Sequence, residues 1–184
     1  MDNQELALIK ACQSGDSQSF GDLYEKYFKK IYSFVYYRIS HKETTEDLVS
    51  IVFTKALENI SKFNKGYFSA WLYQIARNTV IDHYRTNKST QDLERMAELS
   101  VDNPILENMD NGIELQEIKA KLDKLNEIQR DIIIMRVWDG LSYKEISQII
   151  GKSENNCKMI FSRALKELRL SMASLVLIIT LLID

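Results

Sequence analysis

From Tyr67 to Arg85 the chain reads YFSAWLYQIARNTVIDHYR, so that Tyr67, Phe68, Trp71, Tyr73 and Tyr84 interleave with Gln74, Arg77, Asn78, His83 and Arg85. Flat rings stack on unpaired bases, and guanidinium and amide groups reach phosphates and base edges. The mixture therefore suits single-stranded nucleic acid. A plainer reading fits as well, an amphipathic helix whose rings fill a core. Ser69 can cap its start, and Leu72, Ile75, Ala76, Thr79 and Val80 fall on one side, opposite Gln74, Arg77, Asn78, Asp82 and Arg85.

A second set of such residues lies between Leu141 and Leu168. Ser142 followed by Glu145 makes a capping box, Ile146, Ile149 and Ile150 point inward, Gly151 turns the chain, and Ser153 opens a final helix through Arg169. A short helix, a glycine turn and a longer helix are the order of a DNA-reading helix-turn-helix, with the small Ser147 where the two helices must cross. Cys157, Ile160, Phe161, Ala164 and Leu168 form the inner stripe of the second helix. Its outer face shows Asn155, Asn156, Lys158, Met159, Ser162, Arg163 and Lys166. Asn can bond base edges, and Lys and Arg can take phosphates or guanine. The competing reading is a helical hairpin with solvated charges.

The elements that position these residues are helical. The chain has 184 residues, 45% of them hydrophobic and 27% charged, one Pro and six Gly, which favours long helices over a turn-rich β fold. Apolar residues recur at helical spacing over Gln4 to Cys12 and Ser17 to Ile39, including Phe20, Leu23, Tyr24, Tyr27, Phe28, Ile31, Phe34 and Val35. A third helix follows from Thr44, with Asp47 three residues on as its start signal. It turns Leu48, Val52, Phe53, Ala56, Leu57 and Ile60 inward and Glu46, Asp47, Ser50, Lys55 and Glu58 outward. Phe63-Asn64-Lys65-Gly66 is a turn-like loop. Periodicity lapses over 86–112 and returns in helices at Ile113–Leu125 and Glu127–Trp138.

Formal net charge is −2, but it is unevenly spread. Residues 1–85 carry 11 basic and 10 acidic side chains, 86–112 carry 2 and 6, and 113–170 carry 11 and 9, with +3 between Lys152 and Arg169. The expected fold is all-α: two small helical domains, 1–85 and 113–170, joined by an acidic linker, the second a four-helix domain containing the helix-turn-helix. Cys12 and Cys157 stand far apart among apolar neighbours, and His41 and His83 form no ligand cluster. No disulfide framework, metal site, cofactor or catalytic constellation is expected. The opening MDNQELALIK lacks a signal-peptide pattern, so a cytoplasmic location is expected.

Both halves together resemble the extracytoplasmic-function sigma factors of the sigma-70 family, over about Asp16 to Leu170. SFGDLYEKYFKKIY resembles the family's first helix, TEDLVSIVF its polymerase-clamp helix, and AWLYQIARNTVIDHYR its promoter-melting helix. LNEIQRDIIIMRVWDGLSYKEISQIIGKS resembles its second domain up to the recognition helix.

The resemblance implies a first domain that binds core RNA polymerase and melts the downstream (−10) promoter element, and a second that reads the upstream (−35) element. By position it implies polymerase contacts at Glu46, Asp47, Ser50 and Lys55. It implies single-strand contacts at Asn64, Lys65, Tyr67, Trp71, Gln74, Arg77, Asn78 and Arg85, and duplex contacts at Ser153, Asn155, Asn156, Lys158, Met159, Ser162, Arg163 and Lys166. The loop Asn64 to Tyr67 matches the segment that pockets a flipped base, and an anti-sigma partner is also implied. Where relatives carry a Gln and an acidic residue, this chain has Ser50 and Ile51. Ile160 and Leu165 stand at usually basic positions, which implies weaker, less salt-sensitive upstream binding.

Residues 171–184 fall outside the family pattern. From Leu170 to Ile183 runs LSMASLVLIITLLI, uncharged and as a helix roughly 21 Å long, short of the ~30 Å bilayer core. A helix packed on protein is expected ahead of shallow membrane association. The alternative function is a stand-alone helix-turn-helix regulator that never touches polymerase. Its mark would be a dimerisation or effector module in the first half, and none is visible.

Overall fold

The computed structural model describes the backbone of residues 3–87 and 120–183, and the side chains of residues 3–86 and 120–169. The chain divides into two units, Met1–Glu107 and Asn108–Asp184, and every regular element described in either is helical.

In the first unit, α1 (Asn3–Gln13), α2 (Ser17–Ile39), α3 (Lys42–Asn59) and α4 (Phe68–Asn87) are joined by short turns, with a 3-10 turn at Ile60–Lys62. Asp16 starts α2, its carboxylate accepting the Ser19 hydroxyl at 2.6 Å and the Gln18 N–H at 3.0 Å. Those bonds favour the charged form and hold the acid below its ordinary value. α3 starts earlier than the Thr44/Asp47 signal suggests. His41 caps it, Nδ1 accepting the Thr44 N–H at 3.3 Å. Histidine lies outside the usual capping set, which is why the pattern missed it.

Leu23, Ile31, Phe34 and Val35 of α2, Val52 and Ala56 of α3, and Phe68, Leu72, Tyr73, Ala76 and Val80 of α4 close the core. Leu57, expected inward, is 49% exposed. The buried line of α3 runs through Leu48, Val52, Ala56 and Ile60, and at about 100° per residue position 57 falls beyond its edge. α1 is held by buried Ile9 and by Glu5, which accepts the Tyr27 hydroxyl and pairs with Lys26 Nζ at 3.1 Å.

In the second unit, residues 120–122 are helical and lead to α5 (Glu127–Ile133), α6 (Tyr143–Ile150) and α7 (Glu154–Ile183). Asn126 and Gln129 form a reciprocal capping box on α5, each bond 3.0 Å, worth about 1 kcal/mol. The helix expected to Trp138 changes register, Ile134–Trp138 forming a wider π turn. Ile132, Ile133, Ile134 and Met135 are all buried, so this segment is surrounded on every side. α7 runs past the expected end at Arg169 to Ile183 without a break. The acidic stretch 86–112, beyond Asn87, and the expected helix at Ile113–Leu125, before residue 120, lie outside the described residues.

Candidate nucleic-acid interface

The core resolves the two readings of Tyr67–Arg85 residue by residue. Phe68 and Tyr73 are 1% and 0% exposed, so both rings are core. Tyr84 donates its hydroxyl to the Arg38 carbonyl and ties the end of α4 to that of α2. Tyr67 and Trp71 remain half-exposed. The Trp71 indole lies 5.5 Å from Phe63 and 5.4 Å from Phe68 between ring centroids, its inner edge in the core and the rest reaching the surface.

Gln74, Asn78 and Arg85 are exposed along α4 and Arg77 is half-buried beside them. Arg85 pairs with Asp82 at 3.2 Å, but both side chains are open to water, where such a pair yields readily to a phosphate. Burial pushes the His83 imidazole below its ordinary value and so disfavours its cationic form. Asn64, Lys65 and Gly66 are exposed in the loop before α4. Gly66 sits at φ +95, a conformation that favours glycine, and the Tyr67 carbonyl accepts the Trp71 N–H at 3.1 Å, so the loop runs straight into the first turn.

On α3, Glu46, Asp47 and Ser50 are exposed and share one face. Lys55 is directed elsewhere: half-buried, it donates to Thr79 Oγ1 of α4 at 3.2 Å. Beside Glu46 and Ser50 lies a groove of 460 Å³ between α2 and α3, floored by Phe20, Tyr24, Phe28 and Phe53. Spacing assigned these rings to the core, and Phe53 is buried there, but Phe20 and Phe28 are half-buried and Tyr24 is 39% exposed. The available signal was the apolar stripe of α2, which with Phe20, Tyr24 and Phe28 beside Leu23 and Ile31 spans roughly 140°, wider than one neighbouring helix covers.

In the second unit the capping box forms as its spacing requires, with Glu145 N–H to Ser142 Oγ at 3.2 Å and Ser142 N–H to the Glu145 carboxylate at 2.9 Å. Gly151, at φ +70, closes α6 by donating to the Ser147 carbonyl at 2.9 Å, and Ser153 Oγ accepts the Asn156 N–H at 3.3 Å to open α7. Cys157 and Ala164 are fully buried, while Ile160, Phe161 and Leu168 are half-buried. Asn155, Lys158, Met159, Ser162, Arg163 and Lys166 are exposed within a fan of roughly 140° on the helical wheel, with Asn156 half-buried at its edge. The Tyr143 ring organises one flank, with Lys158 Nζ 5.7 Å and the Arg136 guanidinium 4.9 Å from its centroid. Ile160 and Leu165 are half-buried, their apolar bodies partly withdrawn from this face.

Burial pushes the Cys12 and Cys157 thiols up, away from reactivity. Among the described residues, no group of three or more His, Cys, Asp or Glu could hold a metal ion, and no helix is long and apolar enough to cross a membrane.

Residues 23–90 match the family described as Sigma-70 region 2, and residues 115–168 the family described as Sigma-70, region 4. Over 172 residues the chain is 33% identical to the ECF RNA polymerase sigma factor BldN of Streptomyces coelicolor, covering 89% of this chain and 64% of that one. It is 31% identical to the RNA polymerase sigma factor YlaC of Bacillus subtilis, covering 84% of this chain and 92% of that one. Two solved structures share its fold. CnrH, in complex with the cytosolic domain of CnrY, has a TM-score of 0.75 at 20% identity over 94% of this chain and 99% of that one. RpoE of Bartonella quintana, in complex with the anti-sigma factor NepR, has a TM-score of 0.64 at 27% identity over 80% and 94%.

Proposed function

The chain belongs to the extracytoplasmic-function sigma factors of the sigma-70 family, being also 30% identical over 173 residues to the ECF RNA polymerase sigma factor SigW of Bacillus subtilis, 88% of this chain and 92% of that one, and from that premise we propose that it is a dissociable transcription-initiation subunit that directs core RNA polymerase to promoters. In this reading residues 1–85 dock on polymerase and hold the melted downstream element, 86–112 are an acidic linker, and 113–170 read the upstream element. With polymerase and chromosomal DNA as its partners, the protein acts in the cytoplasm. Since RpoE was solved with the anti-sigma factor NepR bound, an anti-sigma factor is a further expected partner.

Glu46, Asp47 and Ser50 form the polymerase-facing surface, and the neighbouring aromatic groove is shaped to receive an apolar side chain from the polymerase. The loop Asn64–Tyr67 receives an unpaired base, Trp71 supplies ring surface, and Gln74, Arg77, Asn78 and Arg85 track the strand. On α7, Asn155 and Asn156 read base edges, Met159 meets a thymine methyl, and Lys158, Ser162, Arg163 and Lys166, with Ser153 at the helix start, hold phosphates or guanine.

The observation that carries the reading is the pairing of an exposed loop and polar α4 face with a glycine-turned recognition helix elsewhere in the same chain. Run-off transcription with purified core polymerase on genomic fragments tests it. Products that start at defined sites only when the protein is added are expected. A folded protein that yields no promoter-dependent product overturns the assignment.

A further inference from the structure

The loop proposed to receive the base is shaped from outside. The 3-10 turn and α4 are joined by five residues, 63–67, of which Asn64 to Tyr67 form the loop. Two carbonyls at the exit of the 3-10 turn are taken by one side chain from α1: Gln13 Nε2 donates to the Ile60 carbonyl at 2.9 Å, which also accepts the Phe63 N–H at 3.1 Å, and to the Phe63 carbonyl at 2.5 Å. One amide nitrogen has two protons, and this arrangement uses both. The Phe63 ring packs on Phe68 at 5.6 Å and on Trp71 at 5.5 Å, so the residues flanking the loop also touch each other. Gly66 at φ +95 then leaves the loop a tight path between pinned ends. α1 is itself anchored by Glu5 and Ile9, so the amide is held rather than merely present.

We propose that Gln13 is a positioning residue for the unpaired promoter base: it touches no nucleic acid, and its amide sets the path of the chain into Asn64–Tyr67. The inference rests on the reading of that loop given above, and names a residue on α1, about fifty positions away in sequence, as part of the machinery.

Gln13→Glu offers the cleanest perturbation, because it keeps the shape while replacing two donors by a carboxylate aimed at two carbonyl oxygens. Gln13→Lys restores donors at similar reach. The full chain with core polymerase is bound to fork-junction DNA of a promoter recovered by run-off transcription, with 2-aminopurine at each non-template position in turn. Unstacking of the captured base is read as fluorescence. Gln13→Glu is expected to weaken capture at one position about tenfold, with polymerase binding and upstream duplex binding within about twofold of wild type. Gln13→Lys should recover most of the loss.

Unchanged capture in Gln13→Glu, alongside loss in Tyr67→Ala, overturns the positioning role and leaves the loop reading intact. Unchanged capture in Asn64→Ala and Tyr67→Ala as well overturns the loop reading and this inference with it. Parallel loss of polymerase binding and capture in Gln13→Glu assigns Gln13 to folding alone, and overturns the proposal.

Discussion

The two proposed DNA surfaces are built in opposite ways. Around Asn64–Trp71 the contact rings Tyr67 and Trp71 are half-hidden beside the exposed Asn64 and Lys65, and the rings that hold the loop are the rings of the core: Phe63 and Phe68 are 7% and 1% exposed. On α7 the contact residues other than the half-buried Asn156 stand clear of the core, which ends at Cys157 and Ala164, and among the described residues no aromatic ring lies on its exposed face. An unpaired base must be taken out of its stack and offered an alternative surface, so its site needs depth and fixed walls. A base pair in a major groove presents its edge to any helix brought alongside, so that site needs only orientation. Stability and recognition are thus entangled in the first unit and separable in the second.

The sharpest way to break this contrast is at two tyrosines of the first unit. Tyr73→Ala, which empties a fully buried position, should cost about 3–5 kcal/mol in urea unfolding of the full chain. Tyr67→Ala should leave the unfolding midpoint nearly unchanged and weaken single-strand capture by about 1–3 kcal/mol, measured on fork-junction DNA. Next in size is Gly151→Val. A Cβ there meets no atom within 4 Å, so the penalty is backbone strain at φ +70, about 1–3 kcal/mol. It should appear in the unfolding of the second unit and in upstream duplex binding, while fork capture is retained.

Separability within α7 itself is tested by Asn155→Ala against Lys166→Ala. The first should lose about 1–3 kcal/mol on the cognate upstream element and relax selection at one position. The second should weaken all sequences alike and lower the log-log salt slope by about one, read in titrations at several salt concentrations. Conversely, Ile160→Arg with Leu165→Arg should steepen that slope by about two, provided the half-buried stems accept the longer side chains.

The smallest expected effect is acid sensitivity at Asp16. Its folded acid constant is depressed, chiefly by the Ser19 hydroxyl, so its contribution is present above the ordinary carboxylate value and lost as pH falls through the lowered one. Asp16→Asn should flatten that part of the stability profile of the first unit, followed by unfolding between about pH 5 and pH 2.

Much of this architecture was legible because it is local. The Ser142–Glu145 box, the Gly151 turn and the Cys157–Ala164 stripe are all set within a few residues, and each forms as its spacing demands. The inner side of α4 was equally readable through Leu72, Ala76, Thr79 and Val80. What escaped depends on partners distant in sequence or on unusual chemistry. Lys55 reads as a surface cation until Thr79 is known to lie beside it. The aromatic repeat of α2 reads as core until α3 proves too narrow to cover it, and nothing near Gln13 hints at the carbonyls of Ile60 and Phe63. His41 was missed because imidazole rarely caps a helix.

One consequence of α7 is mechanical. Thirty residues without a break make a rod of about 45 Å whose near end lies in the proposed reading position and whose far end is the apolar segment after Arg169. The reading end is fixed in its own unit by the buried Cys157 and Ala164, so the direction in which the apolar segment leaves is set by the same packing. A single residue inserted at Arg169 would turn residues 170–183 by about 100° about the helix axis without altering Asn155, Met159 or Arg163.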